Sequence, residues 1–209
     1  MRRTADEDLD TTLKFLDMLD ACLRSRGSDF DVSSLDVSVG STASLSSHRI
    51  AGRTMPDAGR FEVHAGNYVF YDRQQQYTGA CEEEGRIAAF VLTRVIGHYP
   101  DGGRNAIMVD AGATALTKDS APQGGVCSVL GEPDLECYRM SQEVTMIRRR
   151  DGGMFPFGAH PLGSTLMLVP NHSCLSAACF GVYHIVNEAP EKLGAESDVT
   201  AIWKSFRGW

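Results

Sequence analysis

The sequence has no apolar run approaching the roughly 20 residues that a membrane-spanning helix requires, so no segment reads as a span. It also has no excess of positive charge: 27 acidic residues face 20 basic ones, for a net charge of −7. Such a chain has no general attraction for phosphate backbones or anionic membranes, and neither nucleic acid nor a membrane is an expected partner. The one dense basic run, Arg148-Arg149-Arg150, precedes an Asp-Gly-Gly turn and reads as a solvated strand end. Cys-x-x-Cys spacing is missing, since the six cysteines at 22, 81, 127, 137, 174 and 179 are scattered. The first residues run into acid rather than an apolar stretch, so the expectation is a chain without a signal peptide, with reduced thiols, in the cytoplasm. The G-x-S-x-G, H-E-x-x-H, P-loop and G-x-G-x-x-G patterns are absent as well, which removes the chemistries they carry.

What is present suits a globular fold. Hydrophobic residues make up 43% of the 209 and charged residues 22%, enough to bury the core of one large domain or two small ones. Leu9, Leu13, Leu16, Leu19 and Leu23 recur at helical spacing and predict an amphipathic helix over 7–26. Acids crowd its predicted first turn, arginines its last, and Gly27 follows as a stop. Two short strands, 35–39 and 61–64, each end in Gly plus a small polar residue, with a helix-length spacer between them. That is the local pattern of a β/α barrel. Beyond about residue 85 the pattern changes to β-branched and aromatic runs at 87–99, 105–109, 140–148, 165–169 and 180–186, with an Asp-Gly-Gly hairpin signal at 101–103. The expected fold is therefore a remnant of an α/β barrel with two βα units over residues 1–82, followed by a mostly antiparallel β domain over 83–209.

Two places could carry chemistry. Pro170-Asn171-His172-Ser173-Cys174 follows an apolar strand. If the chain stays extended there, imidazole and thiolate point to one side and converge as zinc ligands. Spacing alone leaves open a buried cysteine beside a hydrogen-bonded histidine. No second ligand pair is evident, so a metal held there would keep open positions for water or substrate. The other place is the pair of strand ends, Gly40-Ser41-Thr42 and Gly66-Asn67, where glycine permits close backbone approach and a hydroxyl with free N–H groups can cradle phosphate; two ordinary turns are the alternative. His98 and His184 read as strand residues, His160 as a loop residue, and Asp110 and Asp119 as turn-capping acids.

Seven stretches, taken in order, resemble the family of D-serine dehydratases and D-threonine aldolases, of the alanine-racemase-like fold type. They are 37–42, 62–72, 91–96, 109–112, 141–143, 170–174 and 203–209. The resemblance runs through nearly the whole chain and marks it as the family's carboxy-terminal portion. It implies a barrel that holds pyridoxal phosphate and a β domain that holds zinc. Thr42 and the backbone of Gly66 and Asn67 would contact the cofactor phosphate, and His172 and Cys174 would hold zinc. The implied reaction is β-elimination of D-serine to pyruvate and ammonia. Retro-aldol cleavage of the D-threonine aldolase kind is the enzymatic alternative, disfavoured because Cys174 stands where that branch has Asp. A truncated, non-catalytic zinc-binding module is the other alternative. The complete enzyme of this family would be a homodimer acting on a small D-amino acid.

The chain departs from the family in four respects. The Schiff-base lysine, expected in an Arg-Pro-His-x-Lys-Thr-His-Lys strand, has no counterpart among Lys14, Lys118, Lys192 and Lys204. Five or six barrel strands have no counterpart either. No catalytic residue is assigned to the chain, which by itself is expected to be catalytically silent, with its first 80 residues poorly ordered or oligomerised. Val144 and Ala43 stand where the family has His and Pro.

Overall fold

The computed structural model describes residues 2–42, 60–81, 86–121 and 124–206. The chain divides into two compact units, residues 1–69 with 78–82 and residues 70–77 with 83–209.

In the first unit, helix α1 spans Arg2–Ser25. It begins five residues before the predicted start, so the acidic cluster lies in its second and third turns rather than its first. Gly27, at φ +70°, stops it. Its neighbour Ser28 donates to the Leu23 carbonyl and Gly27 to that of Arg24, each at 3.0 Å, which is the glycine-terminated end that satisfies the last carbonyls. Leu9 is fully buried, and α1 packs on β1 and the 3-10 turn Val32–Ser34. Strands β1 (Asp36–Val39) and β2 (Arg60–Val63) pair in parallel, Val37 opposite Phe61 and Val39 opposite Val63. Parallel neighbours need a crossover connection; residues 43–59, which include Ala43, lie outside the described residues.

The second unit is built on a six-stranded sheet, every pairing of which is antiparallel. Its strands are β3 (Val91–Tyr99), β4 (Ala106–Val109), β5 (Cys127–Val129), β6 (Leu135–Met140), β7 (Thr145–Arg149) and β8 (Thr165–Pro170), in the spatial order β5-β8-β3-β4-β7-β6. The outer strands approach each other: the Val126 N–H donates to the Cys137 carbonyl at 3.2 Å. The sheet is thus a nearly closed barrel. Strand alternation sends Val91, Val95, Ile107, Val129, Ile147 and Leu168 into one buried cluster, each worth about 1.5–3 kcal/mol of apolar burial. Cys127 and Cys137 meet inside it; the hydrogen bond between the thiols, and then burial, push the Cys127 thiol well above its usual range. The β3–β4 hairpin turns at Gly102 and Gly103, both at positive φ, as the Asp-Gly-Gly signal predicts.

The strand expected over 140–148 is corrected. The Ser141 N–H donates to the Val144 carbonyl at 2.8 Å, a tight turn that separates β6 from β7. Short helices α2 (Arg73–Tyr77), α3 (Ala113–Leu116) and α4 (Ser173–Ala178) punctuate the unit. A separate ribbon pairs β9 (Val182–Val186) with β10 (Val199–Lys204) antiparallel.

Candidate functional site

Strand β8 ends at Pro170, and the chain does not continue extended. His172 keeps extended backbone angles, φ −134° and ψ 99°, but it is the cap of α4, which starts at Ser173 and places Cys174 in its first turn. The extended geometry expected for this motif is therefore corrected: successive helical residues are about 100° apart around the axis, so strand alternation does not bring imidazole and thiol to one side. The cause is Asp72. Its carboxylate is fully buried and accepts from the Ser173 N–H at 2.7 Å and from the Gln75 N–H at 2.9 Å. One carboxylate thereby caps α4 and α2 together, and each such charge-assisted bond stabilises by about 1.5–3 kcal/mol.

Cys174 is exposed at this helix start. Burial of its sulfur, and then the charge of Asp72, push its thiol up, against the downward pull that a helix amino terminus exerts. His172 is partly buried, and its Nδ1 lies 2.8 Å from Asp119 Oδ2. Gln74 Nε2 reaches the same oxygen at 3.4 Å. Asn171, with no exposed surface, donates from Nδ2 to the main-chain oxygens of Asp119 at 2.7 Å and Gly125 at 3.1 Å. Its Oδ1 accepts from Arg73 Nη1 at 3.0 Å. One imidazole and one thiol are donors of the kind zinc takes. Among the described residues no group of three or more His, Cys, Asp and Glu is placed to hold a metal.

In the first unit the parallel strands bring their carboxyl ends side by side. Thr42 is buried, and its hydroxyl accepts from the Asn67 N–H at 2.9 Å. A Cβ added at Gly66 would meet nothing within 4 Å, so the backbone there is open to approach. The Asn67 amide is taken up by Thr42, so what fits a phosphate group in kind is the Thr42 hydroxyl proton with the open backbone at Gly66.

His98, His160 and His184 do other work. His98 Nε2 donates to the His160 carbonyl at 2.7 Å, buried His160 sits 3.5 Å from Glu132, and His184 is exposed on β9. The arginine run lines a cavity of about 340 Å³; Arg148 and Arg150 pair with Glu136, and Arg149 with Asp151. Asp72, Arg73, Asn171 and the role of Asp119 were not legible beforehand. Their long-range partners lie 45 to 101 residues away in the chain, and no local pattern signals such pairs.

Residues 88–186 match the family model described as "Putative serine dehydratase domain". A D-serine dehydratase from Dictyostelium discoideum is 35% identical, over 72% of this chain and 39% of the relative. One from Schizosaccharomyces pombe is 31% identical, over 95% of this chain and 44% of the relative. The solved D-threo-3-hydroxyaspartate dehydratase of Delftia sp. HT23 superposes with a TM-score of 0.64 and 29% identity, over 90% of this chain and 47% of that one. The same protein has been solved with a histidine changed to alanine, and with a cysteine two positions later changed to alanine in a metal-free form. This chain spans less than half the length of the curated relatives it matches.

Proposed function

The chain belongs to the D-serine dehydratase family, and on that premise we propose that it is the carboxy-terminal, metal-holding part of a D-amino acid dehydratase that eliminates water from D-serine. One observation carries this reading. His172 and Cys174 have the two-residue spacing of the histidine and cysteine replaced in the Delftia dehydratase, and both stand at the start of α4, the cysteine exposed with its thiol partly buried and the imidazole held by Asp119. Bound zinc would supply Lewis-acid assistance to a departing β-hydroxyl, and pyridoxal phosphate an electron sink for the α-carbon.

The chain's own residues then have distinct tasks. His172 would offer a metal its imidazole nitrogen and Cys174 its sulfur. With two protein ligands, coordination positions are left for a hydroxylated substrate. Asp72 fixes the start of α4 and so the backbone that carries Cys174. Thr42, with the backbone of Gly66 and Asn67, would receive the cofactor's phosphate at the carboxyl ends of β1 and β2, which stand as two βα strands of a larger barrel. Residues 1–82, apart from 70–77, then make the barrel portion, and residues 83–209 with 70–77 the metal-holding β domain. A thiolate favours zinc over harder divalent ions, and with it elimination over aldol cleavage.

Metal analysis of the purified chain tests the proposal. Zinc is expected to copurify in stoichiometric amount and to be lost in the His172→Ala, Cys174→Ala double variant. Fused to the portion of the S. pombe relative outside the match, and supplied with pyridoxal phosphate, the chain should release pyruvate from D-serine. Equal zinc in parent and double variant, or glycine from D-threonine in place of pyruvate from D-serine, would overturn it.

A further inference from the structure

We infer that Asp119 is a positioning residue, whose carboxylate sets the tautomer and orientation of the His172 ring so that Nε2 faces the metal. The inference rests on the reading of His172 and Cys174 as metal ligands and deepens it. An ionised carboxylate only accepts hydrogen bonds, so in the 2.8 Å contact between Nδ1 and Oδ2 the proton sits on Nδ1. A neutral imidazole protonated there has its lone pair on Nε2, the atom left to coordinate. A carboxylate behind a ligating histidine also raises the basicity of the nitrogen that binds.

Asp119 is placed by its surroundings. Buried Asn171, itself held by buried Arg73, grips the Asp119 carbonyl, while Gln74 approaches the carboxylate. The segment leading to Asp119 carries strain. Thr117 adopts φ +62° and ψ −174°, a region that β-branched residues avoid, and its buried hydroxyl finds no hydrogen-bond partner among the described residues. Strain of this kind costs on the order of 1–3 kcal/mol and persists only where the surrounding structure over-determines it. An ion pair serving stability alone would not explain it, because partly exposed pairs contribute about 0–1 kcal/mol.

The test uses the whole chain with zinc and a competing chelator. Asp119→Ala is expected to weaken zinc binding by about 10- to 100-fold. Asp119→Asn, whose amide oxygen still accepts from Nδ1, should fall between Asp119→Ala and the parent. Nitrogen-15 NMR of the zinc-free protein should show His172 protonated on Nδ1 in the parent and losing that preference in Asp119→Ala. Circular dichroism confirms that each variant is folded; if Asp119→Ala is not, Asp119→Asn and the parent's ring tautomer decide the matter. Unchanged zinc affinity in folded variants, or an Nε2-protonated ring in the parent, overturns the role of Asp119 while the ligand assignment stands. Absence of zinc binding by the parent overturns both.

Discussion

Gly112 and Thr117 bracket the one-turn helix α3 and place opposite demands on it. A Cβ at Gly112 would lie 2.5 Å from the Val144 N and 2.6 Å from the Gln142 carbonyl oxygen. Those are backbone atoms of the β6–β7 turn, which also receives the Ala113 and Thr114 amides, so nothing flexible can give way. Gly112→Ala is expected to destabilise the protein by about 1–3 kcal/mol, the range for forcing an extra carbon into a packed site, read as a lower urea midpoint with an unchanged slope. At the other end Thr117 occupies a conformation that would suit glycine. The sequence shows Gly112 within a recognisable stretch but not the reason for it, since the reason is a turn 30 residues onward. Asp119 is a similar case: its type and its turn-like surroundings suggest a cap, and only folding reveals the imidazole beside it.

Among the elements, the β3–β4 pair shows how side chains complete a strand pairing. Its register shifts between Val95 and Gly97, and Asp110 ties the strands together beyond that irregularity, accepting from the Thr93 hydroxyl and the Arg94 N–H at 2.7 Å each. Partial burial acts to raise the Asp110 carboxyl, but these hydrogen bonds together outweigh it and hold the group below its ordinary value. The folded protein therefore binds this proton less readily than the unfolded chain. The stabilisation is complete above the unfolded carboxylate range near pH ~4 and is lost as pH falls through the lower folded value. Unfolding midpoints of the parent and Asp110→Asn should differ at neutral pH and converge on acidification; a gap that persists in acid would refute the assignment. Elements with a long apolar or periodic signal were legible, α1, β3 and β8, and the four-residue strands β1 and β2 were legible from the Gly-plus-polar ends that follow them. Strand β5 has only three residues. Strand β10 is exposed along its whole length and has no burial alternation to reveal it. The β6–β7 turn was hidden because apolar residues continue on both sides of it. The start of α4 was misread because the apolar strand before it gave no sign that a buried aspartate 101 residues away would begin a helix.

At the scale of the whole molecule, the order of modest segments along the chain identified the family, although none of them did so singly. The metal reading then has a thermodynamic consequence that needs no catalysis. A ligand that binds only the folded state stabilises it by RT ln(1 + [L]/Kd), about 2.7 kcal/mol at a hundredfold excess over Kd. His172 and Cys174 belong to the second unit, and so does Trp203, one of the chain's two tryptophans. Tryptophan fluorescence therefore follows the unit that carries the proposed ligands. Zinc at that excess should raise the unfolding temperature seen by fluorescence by several degrees, on the order of 2–4 °C per kcal/mol for a chain of this size. A chelator should reverse the shift, and the His172→Ala, Cys174→Ala double variant should show none. Zinc binding to cysteines of the unfolded chain would reduce the shift equally in any variant that keeps them. The single His172→Ala variant, which keeps all six cysteines, therefore separates site binding from thiol scavenging. A zinc-dependent rise that survives in His172→Ala would mean that the metal sits elsewhere.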